Sequence, residues 1–173
     1  MRSIDLELSN RQSHLILDLV RVRKAAEFIF VRSSNADVHV SLSLVSDAEM
    51  WQLNQKHLRH NDTTDVLSFV LEDAPSCLEV EIIANAAQAV REASLQGWPA
   101  EDELLLYVVH GMLHAAGMDD LQPDQREAMF ACQRDVMKHL GVSPETVDRA
   151  IRIGLAPSSQ AHVASSSRSP ADE

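Results

Sequence analysis

His110-Gly111-Met112-Leu113-His114-Ala115-Ala116-Gly117-Met118-Asp119-Asp120 decides how this chain is read. It ends the longest apolar stretch, Leu104 to Met118, which reads as the central buried helix of the fold. His110 and His114 stand at i and i+4, so on a helix both imidazoles leave one face within reach of a single ion. Gly117 supplies the left-handed residue that stops a helix and turns the chain back. Three residues beyond that turn, Asp120 is placed to complete a site of two imidazoles and one carboxylate. Imidazoles on so apolar a helix need polar partners, and a metal ion supplies them.

Zinc accepts two histidines and a carboxylate and keeps a fourth position for water. The spacing is that of metzincin-type zinc hydrolases. One position separates this chain from the peptidases among them. The residue after the first histidine, where they carry a glutamate as general base, is Gly111. A peptidase mechanism therefore loses its water-activating group. Asp119 competes with Asp120 for the third ligand position, and neighbours across a turn usually point apart; Asp120 is preferred.

Outward from this stretch, Val38, Val40, Leu42 and Leu44 alternate with polar residues as a half-buried strand. Short strands are also expected at 3–8, 66–71 and 79–83. Helices are expected at 12–31, from the Ser46/Glu49 capping box to about Leu58, at 84–96, 100–116 and 123–140, and from Ser143 to about Ile153. In the first of them Leu15, Leu19, Val22, Ala26 and Ile29 share a face. The order of elements gives an α+β fold, a small four-stranded mixed sheet packed with helices, in one domain over 1–155. From Ala156 six of eighteen residues are serine, and 156–173 is expected to be a disordered tail.

Composition narrows the function classes. With 173 residues, 45% hydrophobic and 24% charged, the chain has enough apolar content for one core. No GxxxxGK[ST] or GxGxxG frame occurs among its five glycines, which excludes a P-loop or Rossmann nucleotide enzyme. The Leu104–Met118 stretch is too short and too polar to span a bilayer, and the N-terminus lacks a secretion signal's apolar core. Cys77 and Cys132 form no disulfide framework and read as two buried reduced thiols of a cytoplasmic protein. A net charge of −11 argues against a nucleic-acid coat protein, though not against an enzyme touching RNA through a small basic patch such as Arg21, Arg23 and Lys24.

Three blocks in order then carry a resemblance. His110-Gly111-x-Leu113-His114-x-x-Gly117-x-Asp119 resembles the HGxLHxxGxDH signature of the YbeY family of bacterial metal-dependent endoribonucleases. Leu53-Asn54 followed by Thr64-Asp65-Val66-Leu67-Ser68-Phe69 is similar to that family's LN…PTDVLSF segment, and Glu81-Ile82-Ile83 to its GDI strand. The likeness covers roughly 35–141. It implies a zincin-like fold, one bound zinc, and cleavage of single-stranded RNA in the cytoplasm. It further implies a role in 3′-end maturation of small-subunit ribosomal RNA and late ribosome quality control. The implied partners are ribosomal RNA, the small ribosomal subunit and a ribosomal-protein or GTPase assembly factor, with no membrane.

The chain departs from the family pattern where Asp120 replaces the third histidine, Thr63 a proline and Val80 a glycine. A carboxylate third ligand loosens selectivity toward harder divalent ions. Arg59, one register off the family's loop arginine, is the candidate to pair with a phosphate, and Glu81 the candidate acid or base by position. Thr64 and Asp65 are expected to shape their loop and steady a histidine. Two other classes are weighed against this reading: a zinc hydrolase of another substrate, peptidase-like, and a non-catalytic ribosome-assembly factor with a structural metal.

Overall fold

A computed structural model describes residues 3–58, 64–154 and 163–165. The elements run β1 (Ser3–Asn10), α1 (Leu19–Phe30), β2 (Asp37–Val45), α2 (Asp47–Leu58), β3 (Val66–Ala74), β4 (Cys77–Asn85), α3 (Ala86–Gln96), α4 (Ala100–Ala115), α5 (Pro123–His139), α6 (Pro144–Gly154) and β5 (Val163–Ser165). The chain is α+β, as its element order implies. The sheet is mixed, in the order β1-β2-β4-β3-β5. β1 and β4 flank β2 in parallel, and β3 returns antiparallel to β4. The four expected strands are joined by a fifth, the three-residue β5, parallel to Ser68–Val70 of β3. It lies in the segment read as a structureless tail, where composition gave no sign of an element.

Alternation along the strands sorts the two faces. Val38, Val40, Leu42 and Leu44 of β2, Val66 of β3, and Leu78, Val80, Ile82 and Ala84 of β4 belong to the main core with α1, α3, α4 and α5. Val45, Leu67, Phe69 and Ile83 form a small separate cluster with Met50 of α2. From Glu103 to Ala115 every residue of α4 is buried. Leu104, Leu105, Met112 and Leu113, almost wholly out of water, each contribute about 1.5–3 kcal/mol by burial.

The first helix is shorter than its periodicity suggests. The Asp18 side chain accepts from Val20 N at 2.9 Å and starts α1 there, while Gln12 holds the chain before it in a turn through His14 N and Leu15 N. The buried face is Val22, Ala25, Ala26 and Phe30, and Leu19 stays 42% exposed. β3 and β4 run longer than expected and close on a tight turn at Pro75–Ser76, with the register shifting between Val70 and Glu72. Cys77 and Cys132 are free, and half-buried rather than buried.

Among the described residues no helix is long and apolar enough to cross a membrane.

Candidate metal centre

Helix α4, which carries the two imidazoles, packs closely on the sheet at Gly111. A Cβ on Gly111 would stand 3.0 Å from Val66 Cγ2 and 3.1 Å from Ile82 Cγ2, methyls on stiff β-branched side chains. A side chain there would require those methyls to give by a few tenths of an ångström. The contact is fixed by the buried Ser68, whose hydroxyl donates to the Gly111 carbonyl at 2.8 Å. A side chain at 111 would start toward Val66 and Ile82 of the sheet, so a glutamate in the peptidase-base position would be crowded against them.

The end of α4 then folds back. Gly117, at φ +90°, lets Gly117 N donate to His114 O at 2.9 Å and Met118 N to Leu113 O at 3.0 Å. The reversal brings the Met118 carbonyl to 3.1 Å from His114 Nδ1. Asp119 Oδ1 accepts from the backbone N of Asp120 at 2.8 Å and of Leu121 at 3.3 Å, an Asx turn that occupies that carboxylate. Asp120 is thereby turned toward the histidines. Arg126 of α5 holds the same loop, its Nε donating to the Asp120 carbonyl at 2.9 Å.

His110, His114 and Asp120 are thus brought together, one ligand-type atom from each lying within 4.8 Å of the others. His110 Nε2 is 3.2 Å from His114 Nε2, and 3.7 Å from Asp120 Oδ2; His114 Nε2 is 3.8 Å from Asp120 Oδ1. Neighbouring ligands of a tetrahedral zinc, each about 2.0–2.1 Å from it, are about 3.3 Å apart, so these separations suit one small cation. Both Nδ1 atoms face oxygen acceptors, Gln133 Oε1 for His110 at 3.1 Å and the Met118 carbonyl for His114. With Nδ1 donating in each ring, two Nε2 lone pairs and a carboxylate converge, an arrangement a positive ion neutralises. Burial, then the neighbouring His110, lowers the pKa of His114 despite the opposing pull of Asp120. The neutral imidazole is the form a metal binds.

The other expected residues fall elsewhere. Glu81 is not brought to this group. Its neighbours Val80 and Ile82 face α4, so Glu81 projects from the opposite face of β4, paired in register with Phe69 and Ser41. Arg59 lies outside the described residues. Thr64 and Asp65 bond locally, with no hydrogen bond to a histidine among the described residues: Asp65 Oδ1 accepts from Val66 N at 2.9 Å and from the Thr64 hydroxyl at 3.1 Å. Two of the basic residues on α1 are engaged within the chain. Arg21 pairs with Asp102 of α4 at 2.7 Å, and Arg23 donates to the Ile4 carbonyl at 2.8 Å.

Sequence reasoning missed Gln133 and Arg126. Gln133 had a signal: it interrupts the apolar stripe Met129, Phe130, Val136 and Met137 of α5. Arg126 had none, since its partners are backbone carbonyls.

An α+β fold of the zincin-like class, with two histidines of its central helix and a carboxylate from the next turn closing on one point, is what fold and site together define. A family model described as "Endoribonuclease YbeY" matches residues 7–141, and the chain belongs to that family. Relatives named "Endoribonuclease YbeY" include one from Rhodopirellula baltica, 39% identical over 60% of this chain and 54% of that longer protein. Another, from Halalkalibacterium halodurans, is 30% identical over 79% of this chain and 91% of its own length. A third, from Pseudomonas entomophila, is 31% identical over 80% and 90%. The solution structure of TM1509 from Thermotoga maritima superposes with a TM-score of 0.53 at 29% identity, covering 91% of this chain and 99% of the other.

Proposed function

We propose that this chain is a zinc-dependent hydrolase that cuts single-stranded RNA internally. The observation that carries the reading is the convergence of His110 Nε2, His114 Nε2 and the Asp120 carboxylate in a chain of a family named for endoribonuclease activity. His110, His114 and Asp120 hold the ion. Once bound, zinc supplies Lewis-acid polarisation of a phosphoryl oxygen and brings the pKa of water toward neutrality. The protein's share is orientation and charge. Gln133 and the Met118 carbonyl aim the two imidazoles, and Asp120 adds one negative charge, which softens the Lewis acidity relative to three neutral histidines. Arg59 is the group proposed to meet the phosphate. Glu81, on the far face of the sheet, is not assigned a proton-transfer step.

The biological setting proposed is cytoplasmic. The substrate is the 3′ region of small-subunit ribosomal RNA, during maturation and late quality control of the small subunit, with a ribosomal protein or GTPase as guide. The family match supports the endoribonuclease activity, and the setting is what the resemblance of the three sequence blocks implies.

The test is incubation of zinc-loaded protein with a labelled single-stranded RNA, the same RNA in a duplex, and casein. Internal cuts confined to the single strand, lost in His114→Ala, are expected. Digestion of casein with RNA intact, or equal RNA cleavage by His114→Ala, would overturn the proposal.

A further inference from the structure

We infer that Gln133 is the positioning residue for His110, setting which ring nitrogen is free to bind metal. This rests on His110, His114 and Asp120 being the metal ligands. The two imidazoles are steadied by different means. His114 Nδ1 faces a backbone carbonyl, that of Met118, which no side-chain substitution removes. His110 Nδ1 faces a side chain, Gln133 Oε1, at 3.1 Å. Gln133 is 4% exposed and sits in the apolar stripe of α5, where an amide is costly unless it is used. Its partner His110 is 8% exposed.

A neutral imidazole carries its hydrogen on one nitrogen only. An acceptor at Nδ1 keeps the hydrogen there and leaves the Nε2 lone pair aimed at His114 Nε2 and Asp120, 3.2 and 3.7 Å away. Without the acceptor, the buried Nδ1–H loses its partner, and the tautomer with hydrogen on Nε2, which cannot ligate, gains population. An amide does this without adding charge beside the three ligands. Arg126 lies seven residues earlier on α5, two turns away on the same face, and holds the Asp120 loop. One face of α5 therefore secures both a ligand histidine and the ligand-bearing turn.

The test uses the full chain with zinc alone as probe, comparing Gln133→Met, of similar size without a strong acceptor, and Gln133→Glu, which keeps one. Zinc affinity is read by competition with a chromophoric chelator, and the Nδ1–H of each histidine by nitrogen-15 NMR of the zinc-loaded protein. Gln133→Met is expected to bind zinc about 10–100-fold more weakly, the usual cost of losing such a partner. It is also expected to lose the exchange-protected Nδ1–H signal of His110 while keeping that of His114. Gln133→Glu is expected to keep both signals and most of the affinity. Unchanged affinity with both signals intact in Gln133→Met overturns the inference. Should that variant not fold, the wild-type spectrum decides, and absence of a protected His110 Nδ1–H overturns it. Wild-type protein that binds no zinc overturns the ligand assignment itself, a distinct outcome.

Discussion

Gly111 shows how a single residue does two things that sequence inspection separates. Read in the motif, it marks a missing general base; in the fold, it is the point where α4 touches β3 and β4. Alanine there improves helix propensity by up to about 1 kcal/mol. It also pushes a methyl against Val66 and Ile82, which costs about 1–3 kcal/mol because neither can rotate away cheaply. Packing wins. Gly111→Ala is expected to unfold at lower urea concentration than wild type; equal or higher stability would mean that α4 is less tightly seated than 3.0 Å implies. The ligand-bearing segment was legible in sequence because imidazoles at i and i+4, a helix-stopping glycine and a carboxylate are each local signals. What those atoms rest on was not: Gln133, Arg126 and Ser68 reach the site only through tertiary contact. The misplacement of Glu81 has the same origin, since the period-two alternation of a strand shows two faces without saying which one meets α4.

Within α4, the end remote from the histidines carries a buried carboxyl. Glu103 accepts from Trp98 Nε1 at 2.7 Å and from the Tyr107 hydroxyl. Burial nonetheless outweighs these bonds and pushes its pKa from 4.5 up to about 7, and the charges of Glu92 and Asp65 add to the rise. Tyr107 is raised too, first by burial and then by Glu103. The folded protein thus holds this proton more tightly than the unfolded chain. Its contribution to stability is complete below about pH 4.5 and is lost as pH climbs to about 7, amounting to about 3 kcal/mol at 1.36 kcal/mol per pH unit. Glu103→Gln keeps an acceptor for Trp98 and Tyr107 and has no proton to lose. Melting temperatures between pH 5 and pH 8 should fall less in Glu103→Gln than in wild type, leaving the variant more stable at pH 8. Parallel declines in both proteins would show that Glu103 is solvated enough to ionise freely. Elements of this kind were read from sequence where caps and stripes agree. They were misread at α1, where the apolar period continues upstream of the Asp18 cap into a turn built by Gln12.

At the scale of the whole molecule, the mixed strand order puts β4, the fourth strand in sequence, at the centre between β2 and β3. No local pattern encodes that; it follows from parallel pairing of β2 with β4 and the β3–β4 hairpin. The addition of β5 was equally hidden, because three residues in a serine-rich stretch have no period to read. β3 is already paired with β4 from Val66 to Ala74, so a chain ending before Ala156 should keep its fold, with a melting temperature within a few degrees of the full chain. A larger drop would assign β5 a structural share in the sheet. Charge, too, behaves differently in three dimensions. Alongside the net −11 of the sequence, two arginines of α1 are engaged within the chain, Arg21 with Asp102 and Arg23 with the Ile4 carbonyl, so the count of basic residues on α1 overstates what that helix offers a phosphate backbone.

That His110, His114 and Asp120 together form a metal centre is most directly tested by the zinc content per chain of wild type, Asp119→Ala and Asp120→Ala, purified in the same chelator-free buffer. About one zinc per chain is expected in wild type. In Asp119→Ala, whose carboxylate is spent on the turn, most of it should remain. In Asp120→Ala little should survive dialysis. Zinc near zero in folded wild-type protein, or retention in Asp120→Ala with loss confined to Asp119→Ala, would contradict the assignment.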